Sequence, residues 1–149
     1  MNQAESAIHV VIGSLIESQE ALVEIGEKLD DQNLKRYFLV ESLIRAQFRN
    51  ELESVLNHEG ISDLRENGSS AGDLHQIWAG LRFKSVGGDQ ALLEIAEQVE
   101  GITEEGYLSA MSTALPLPVR QILSTQVMYI HESHDYVKAA RDRVNRTAA

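Results

Sequence analysis

The chain has 149 residues, 43% of them hydrophobic, which is the size of one ordinary domain and too apolar for disorder. Thirteen Lys and Arg against 23 Asp and Glu give a formal net charge of -10. A surface of that sign repels phosphate backbones and anionic lipid, so the reading has no nucleic acid and no membrane partner. The absence of cysteine excludes disulfides, thiolate chemistry and Cys-ligated metals. The first residues, MNQAESAIHVVIG, have no basic region, and His9 and Gly13 break their apolar run. They are not read as a signal peptide, no stretch approaches a transmembrane span, and a cytoplasmic location is expected.

A single domain over 1–149 is expected, built on four long helices. The first covers 3–29, with Ile8, Val11, Ile12, Leu15, Leu22, Ile25 and Leu29 at helical spacing and Glu17, Glu20, Glu24 and Glu27 on the other side. Asp30, Asp31, Gln32 and Asn33 form a short polar turn with capping chemistry. The second helix, 33–58, turns Leu34, Phe38, Phe48, Leu52 and Val55 inward, and so short a turn makes the pair antiparallel. A long connection follows. Within it Ser70 and Asp73 make a capping-box start, and Leu74, Ile77, Trp78 and Leu81 form the stripe of a short helix over 71–86, ended by Gly87 and Gly88. Asp89 is placed to cap the third helix, 89–114, which buries Leu92, Ile95, Val99, Ile102 and Ala110. Pro118 opens the fourth, 118–146, with Val119, Ile122, Leu123, Ile130, Val137 and Val144 inward. Lys138, Arg141, Arg143 and Arg146 are read as partners of its negative end. Helices of roughly 40 Å joined by short, long and short connections predict that helices 2 and 3 run parallel.

The segments GSSAGDLHQIW and VGGDQALLEIAEQVEG, with HDYV near the end, are similar to small bacterial ferritin-like four-helix-bundle proteins of unassigned function. The resemblance rests on Gly68, Ser69, Ala71, Gly72, Leu74, His75 and Trp78, on the Gly87, Gly88 and Asp89 cap, and on His134 with Asp135. It implies an all-α, ferritin-like four-helix bundle whose long crossover between helices 2 and 3 carries the extra short helix. A fold follows from it, and no reaction.

At 100° per residue, several polar groups fall inside the apolar stripes or, for Glu100, Tyr107 and His134, at their edge. They are Gln19 on helix 1, Glu41 and Arg45 on helix 2, Glu100, Thr103 and Tyr107 on helix 3, and Gln126, Ser133 and His134 on helix 4. Counted from the turns, Gln19, Glu41, Glu100 and His134 share one level. Ferritin-like di-metal proteins place there one Glu from each of two helices and a Glu-x-x-His from each of the others. This chain departs from that pattern. It has Gln19 in place of a carboxylate, Ile44 three residues after Glu41, and His131 three before His134. The leading reading is therefore a metal-free buried polar layer of Gln19, Glu41, Arg45, Glu100, Gln126 and His134, with no cofactor. The alternative is a single divalent metal ion (Fe, Mn or Zn) on Glu41, Glu100 and His134, completed by Gln19 or water. The remainder of His131–Asp135 reads as a solvated helix face. No Ser-His-Asp arrangement and no phosphate-binding glycine loop is present, so no catalytic residue is assigned.

Helix 2 is apolar on a second side as well, through Leu39, Val40, Leu43 and Ala46. One core cannot bury both sides, so the crossover helix or a second subunit is expected to cover the extra strip, and a homodimer is predicted. The functional expectation is a non-catalytic bundle with a structural, interaction or stress-associated role. Its alternative is a metal-binding or redox protein of reduced ferritin type.

Overall fold

A computed structural model describes residues 3–61 and 88–148. The predicted crossover helix over 71–86, with His75 and Trp78, lies outside the described residues. Within them the protein is all-α, compatible with a four-helix bundle: α1 is Gln3–Lys28, α2 Gln32–His58, α3 Gly88–Met111 and α4 Leu117–Ala148.

The turn after α1 sets the direction of everything else. Asp31 caps α2, its carboxylate accepting from the Leu34 amide at 2.9 Å. Asp89, expected to cap its own helix, is used elsewhere: its two oxygens accept from the Asp30 and Asp31 amides at 2.8 and 3.0 Å. The start of α3 is thereby pinned to the α1–α2 turn. Gly88 enters α3 with φ +64, a conformation that glycine adopts without a steric penalty. At the far end, Gly106 faces Val10 and Ser14 of α1. So α3 runs antiparallel to α1 and parallel to α2.

Between α3 and α4 the helix stops at Met111, three residues before the expected end. Ser112 and Thr113 amides donate to Ser109 and Ala110 carbonyls in a tightened last turn. Arg120 of α4 then donates to the Met111 and Thr113 carbonyls, each at 2.9 Å, satisfying groups that the helix end leaves open. Helix α4 returns antiparallel to α3, and neighbours around the ring are α1–α2, α1–α3, α3–α4 and α2–α4. Gly26 allows α1 and α2 to approach closely, since a Cβ there would meet Leu39 at 3.0 Å.

The core comes in two apolar halves. One gathers Leu22, Ile25, Leu34, Phe38, Leu93, Val99 and Val137 toward the α1–α2 turn. The other gathers Ile8, Ile12, Leu15, Leu52, Tyr107, Leu123 and Ile130 toward the opposite end. Buried polar side chains lie between them, among them Ser18, Glu41, Arg45, Glu100, Thr103 and Ser133. The stripes are thus interrupted at one common level on all four helices.

Candidate functional site

The interruption is built round Arg45, whose side chain is 0% exposed and lies within one turn of Glu41 on α2. A guanidinium is always charged and keeps its charge only with anionic partners when buried. Glu100, across the diagonal on α3, supplies one. Arg45 Nη2 donates to Glu100 Oε2 at 2.9 Å, and Nη1 lies 2.8 Å from Oε1 as a close ion-pair contact without hydrogen-bond geometry. Glu41 Oε2 approaches Nη2 more loosely, at 3.7 Å. Burial opposes the charge on Arg45, but the Glu100 carboxylate and its hydrogen bond outweigh burial and hold the pKa above its ordinary value.

Glu41 has a different second partner. The Tyr129 hydroxyl on α4 donates to Glu41 Oε1 at 2.6 Å, and Tyr129 packs edge-on against Phe48. Burial pushes the Glu41 carboxyl up, and the nearby Glu100 charge adds to that. Tyr129 and Arg45 pull the other way without cancelling it. Burial also raises the phenols of Tyr37, Tyr107 and Tyr129. The Tyr37 and Ser133 hydroxyls are 2.8 Å apart, and the Tyr37 ring stacks on Tyr136 with centroids 4.0 Å apart. One turn away, Tyr107 donates to Gln126 Oε1 at 2.7 Å while Gln126 Nε2 donates to the Phe48 carbonyl at 3.0 Å. Every tyrosine of the chain therefore stands in or beside this layer.

Two members expected in the layer stand elsewhere. On α1 the buried residue at this level is Ser18, with its hydroxyl donating to the Leu15 carbonyl, while Gln19 is half-buried. Ser18 continues the spacing of Val11, Leu15, Leu22 and Ile25, which places it nearer the centre of the stripe than its neighbour. His134 shares the level of Glu100, but its ring lies over Gly101, on the α3–α4 seam. Its Nδ1 is 2.9 Å from Glu104 Oε1 and its Nε2 is 3.2 Å from Glu97 Oε1. Glu41, Arg45, Glu100 and Gln126 are the expected members that are buried.

His134 belongs to a second, outer cluster that the residue pattern did not reveal. His131, read as part of a solvated face, brings Nδ1 to 2.7 Å from Glu104 Oε2 and Nε2 to 3.5 Å from Asp135. Both imidazoles thus clamp one carboxylate, and each has a second carboxylate behind it. Arg141, expected to serve the helix end, reaches Glu97 at 3.9 Å. Burial would lift Glu104, but the hydrogen bonds from His134 and His131 more than offset it and hold the carboxyl below its ordinary value. The hydrogen bond to Glu104 in turn raises the imidazole of His131. Among the described residues, no group of three or more His, Cys, Asp or Glu is disposed to hold a metal ion, and no helix is long and apolar enough to cross a membrane.

These features define a class: among the described residues, an all-α protein of four helices, compatible with a four-helix bundle, with a charged layer inside its core. Residues 3–113 match the family described as Domain of unknown function (DUF2383), and the chain belongs to that family. The match takes in Glu41, Arg45 and Glu100 and stops before α4. No curated protein and no solved structure matches the chain.

Proposed function

We propose that this protein is a non-catalytic, ferritin-like four-helix bundle with a long crossover between α2 and α3, acting in the cytoplasm as a structural or interaction module. The stress-associated part of that role rests on the family resemblance alone. Helices α2 and α3 start at the same end of the bundle, tied there by Asp89 to the α1–α2 turn, which favours the ferritin-like arrangement. The observation that carries the non-catalytic reading is the position of Arg45. Its guanidinium fills the centre of the charged layer, within reach of both buried carboxylates.

A di-metal or single-metal centre does not fit these residues. A second cation beside Arg45 would be repelled in a setting where water screens little. The third proposed ligand, His134, directs both ring nitrogens to Glu97 and Glu104, so it is not available to Glu41 and Glu100. The charged layer instead serves as an internal key: an ion pair that forms only when α2 and α3 stand in one register, with α4 adding Tyr129.

Thermal unfolding with excess chelator, then with added Fe²⁺, Mn²⁺ or Zn²⁺, tests this reading. A ligand that binds only the folded state raises the melting temperature. The expected result is one melting temperature under all conditions, with Arg45→Met destabilised by about 3–5 kcal/mol. A metal-dependent rise that disappears in Glu100→Gln would overturn it.

A further inference from the structure

Arg45 is tied down at one end only. A guanidinium presents N–H donors along its side as well as at its tip. The tip faces Glu100, where the hydrogen bond runs from Nη2 to Oε2 at 2.9 Å. Nε and Nη1 have no hydrogen-bond acceptor among the described residues, although the side chain is 0% exposed. Glu41, one turn away, is incomplete in the complementary sense. Its Oε1 takes the hydroxyl of Tyr129, but Oε2 is buried without a donor and stands 3.7 Å from Arg45 Nη2. That separation is too long for a direct hydrogen bond, and it is of the kind that a bridging molecule closes.

Buried polar groups of native proteins are nearly all paired, because an unpaired one loses its hydration for nothing in return. The neighbouring hydroxyls do not meet the need. Ser18, Ser42 and Thr103 are buried and donate to the Leu15, Leu39 and Val99 carbonyls of their own helices. What such residues supply is room. Ser18 stands between Leu15 and Leu22 on its stripe, and Ser133 between Ile130 and Val137, so smaller groups build this level than the levels beside it. The charges then select what can enter. An anion would meet Glu41 and Glu100, and a cation would meet Arg45. A small neutral molecule that both accepts and donates suits each of the incomplete groups. Water is that molecule.

We propose that the charged layer holds an internal water molecule, which accepts a hydrogen bond from Arg45 Nε and donates one to Glu41 Oε2. The choice of a neutral ligand rests on the exclusion of a second cation argued above. The water joins Glu41 to Arg45 where their direct contact is loose. Arg45 then has a carboxylate at its tip and a hydrated carboxylate along its side.

Nuclear magnetic resonance of the isotope-labelled full chain, in excess chelator, tests the proposal. The Arg45 Nε–H is expected to show a cross-peak to water that changes sign between laboratory-frame and rotating-frame Overhauser spectra, the mark of a bound, slowly exchanging water. Relaxation dispersion of the water oxygen nucleus, which exchanging hydroxyls do not mimic, is expected to lose the amplitude of one water in Glu41→Met. That variant keeps the volume of the side chain and leaves Arg45 its pair with Glu100. If it fails to fold, the wild-type cross-peak decides alone. An Arg45 Nε–H without a cross-peak to water, or an amplitude unchanged in Glu41→Met, overturns the proposal. A metal-dependent melting temperature counts against the metal-free reading instead, and the chelator keeps the two results apart.

Discussion

Among the described residues, basic side chains are held between carboxylates in two places, once inside the core and once on the flank. Inside, Arg45 is 0% exposed and pairs with Glu100. On the flank, His131 and His134 grip Glu104 while His131 remains 58% exposed. The two sets are chemically alike and physically unlike. In the core an ion that loses its partner is shut off from bulk water, so breaking the pair costs far more than forming it gains. On the flank water reaches His131 and salt screens its pairs, while Glu104 and His134, 17% and 12% exposed, are covered but lie at the surface seam rather than in the core. The comparison shows that burial, not the number of ion pairs, decides which one the fold depends on.

The largest effect is expected from Glu100→Ala, which leaves Arg45 charged and buried. Chemical denaturation should show a loss of about 3–5 kcal/mol. A loss below 1 kcal/mol would mean that bulk water enters the layer and that the two regions differ little. Tyr129→Phe removes one hydrogen bond to a buried carboxylate, for an expected loss of about 1.5–3 kcal/mol by the same measurement. Because the Glu41 carboxylate then loses a donor, its pKa should rise further, readable by NMR titration.

Titration sharpens the contrast. Burial lifts Glu41 above its ordinary 4.5, and Glu104 lifts His131 above its ordinary 6.5. A group whose pKa is raised on folding stabilises the fold fully below its unfolded-state pKa, and that contribution is lost as pH rises through the folded value. Stability is therefore expected to decline in two steps on going alkaline, the first beginning above about pH 4.5 from Glu41 and the second above about 6.5 from His131. Glu104 works in the opposite sense. Its contribution is present above its ordinary 4.5 and is lost as pH falls through its depressed value. Denaturation curves across this range should keep the first step in Glu104→Gln and lose the second. An unchanged second step would remove His131 from the account.

The smallest effect is that of Glu104→Gln at pH 7, about 0.5 kcal/mol or less, vanishing in high salt. A larger, salt-insensitive loss would show that the flank cluster is as essential as the core.

The sequence disclosed these regions unequally. Apolar residues from Ile8 to Leu29 repeat every three or four positions, and that period makes a helix legible without tertiary knowledge. The Glu41 and Arg45 pair is legible for the same reason, since one turn separates them. The long connection against two short ones pointed to parallel α2 and α3, and that direction brings Glu100 to Arg45. His134 was misplaced because a residue at the edge of a stripe can turn inward or along the seam. Its direction is decided by Glu97 and Glu104 on another helix, information that its own helix does not contain. Tyr129 is hidden in a related way: it lies beside the stripe, but its long side chain carries the hydroxyl inward to Glu41.

The carboxylate of Asp89 ties together stretches nearly sixty residues apart in the chain, and it does so through two backbone amides. Those amides, of Asp30 and Asp31, exchange with solvent hydrogen only when the contact opens. Their exchange rates therefore report how often the carboxylate of Asp89 lets go of the turn, the local event by which the start of α3 comes free of the α1–α2 turn.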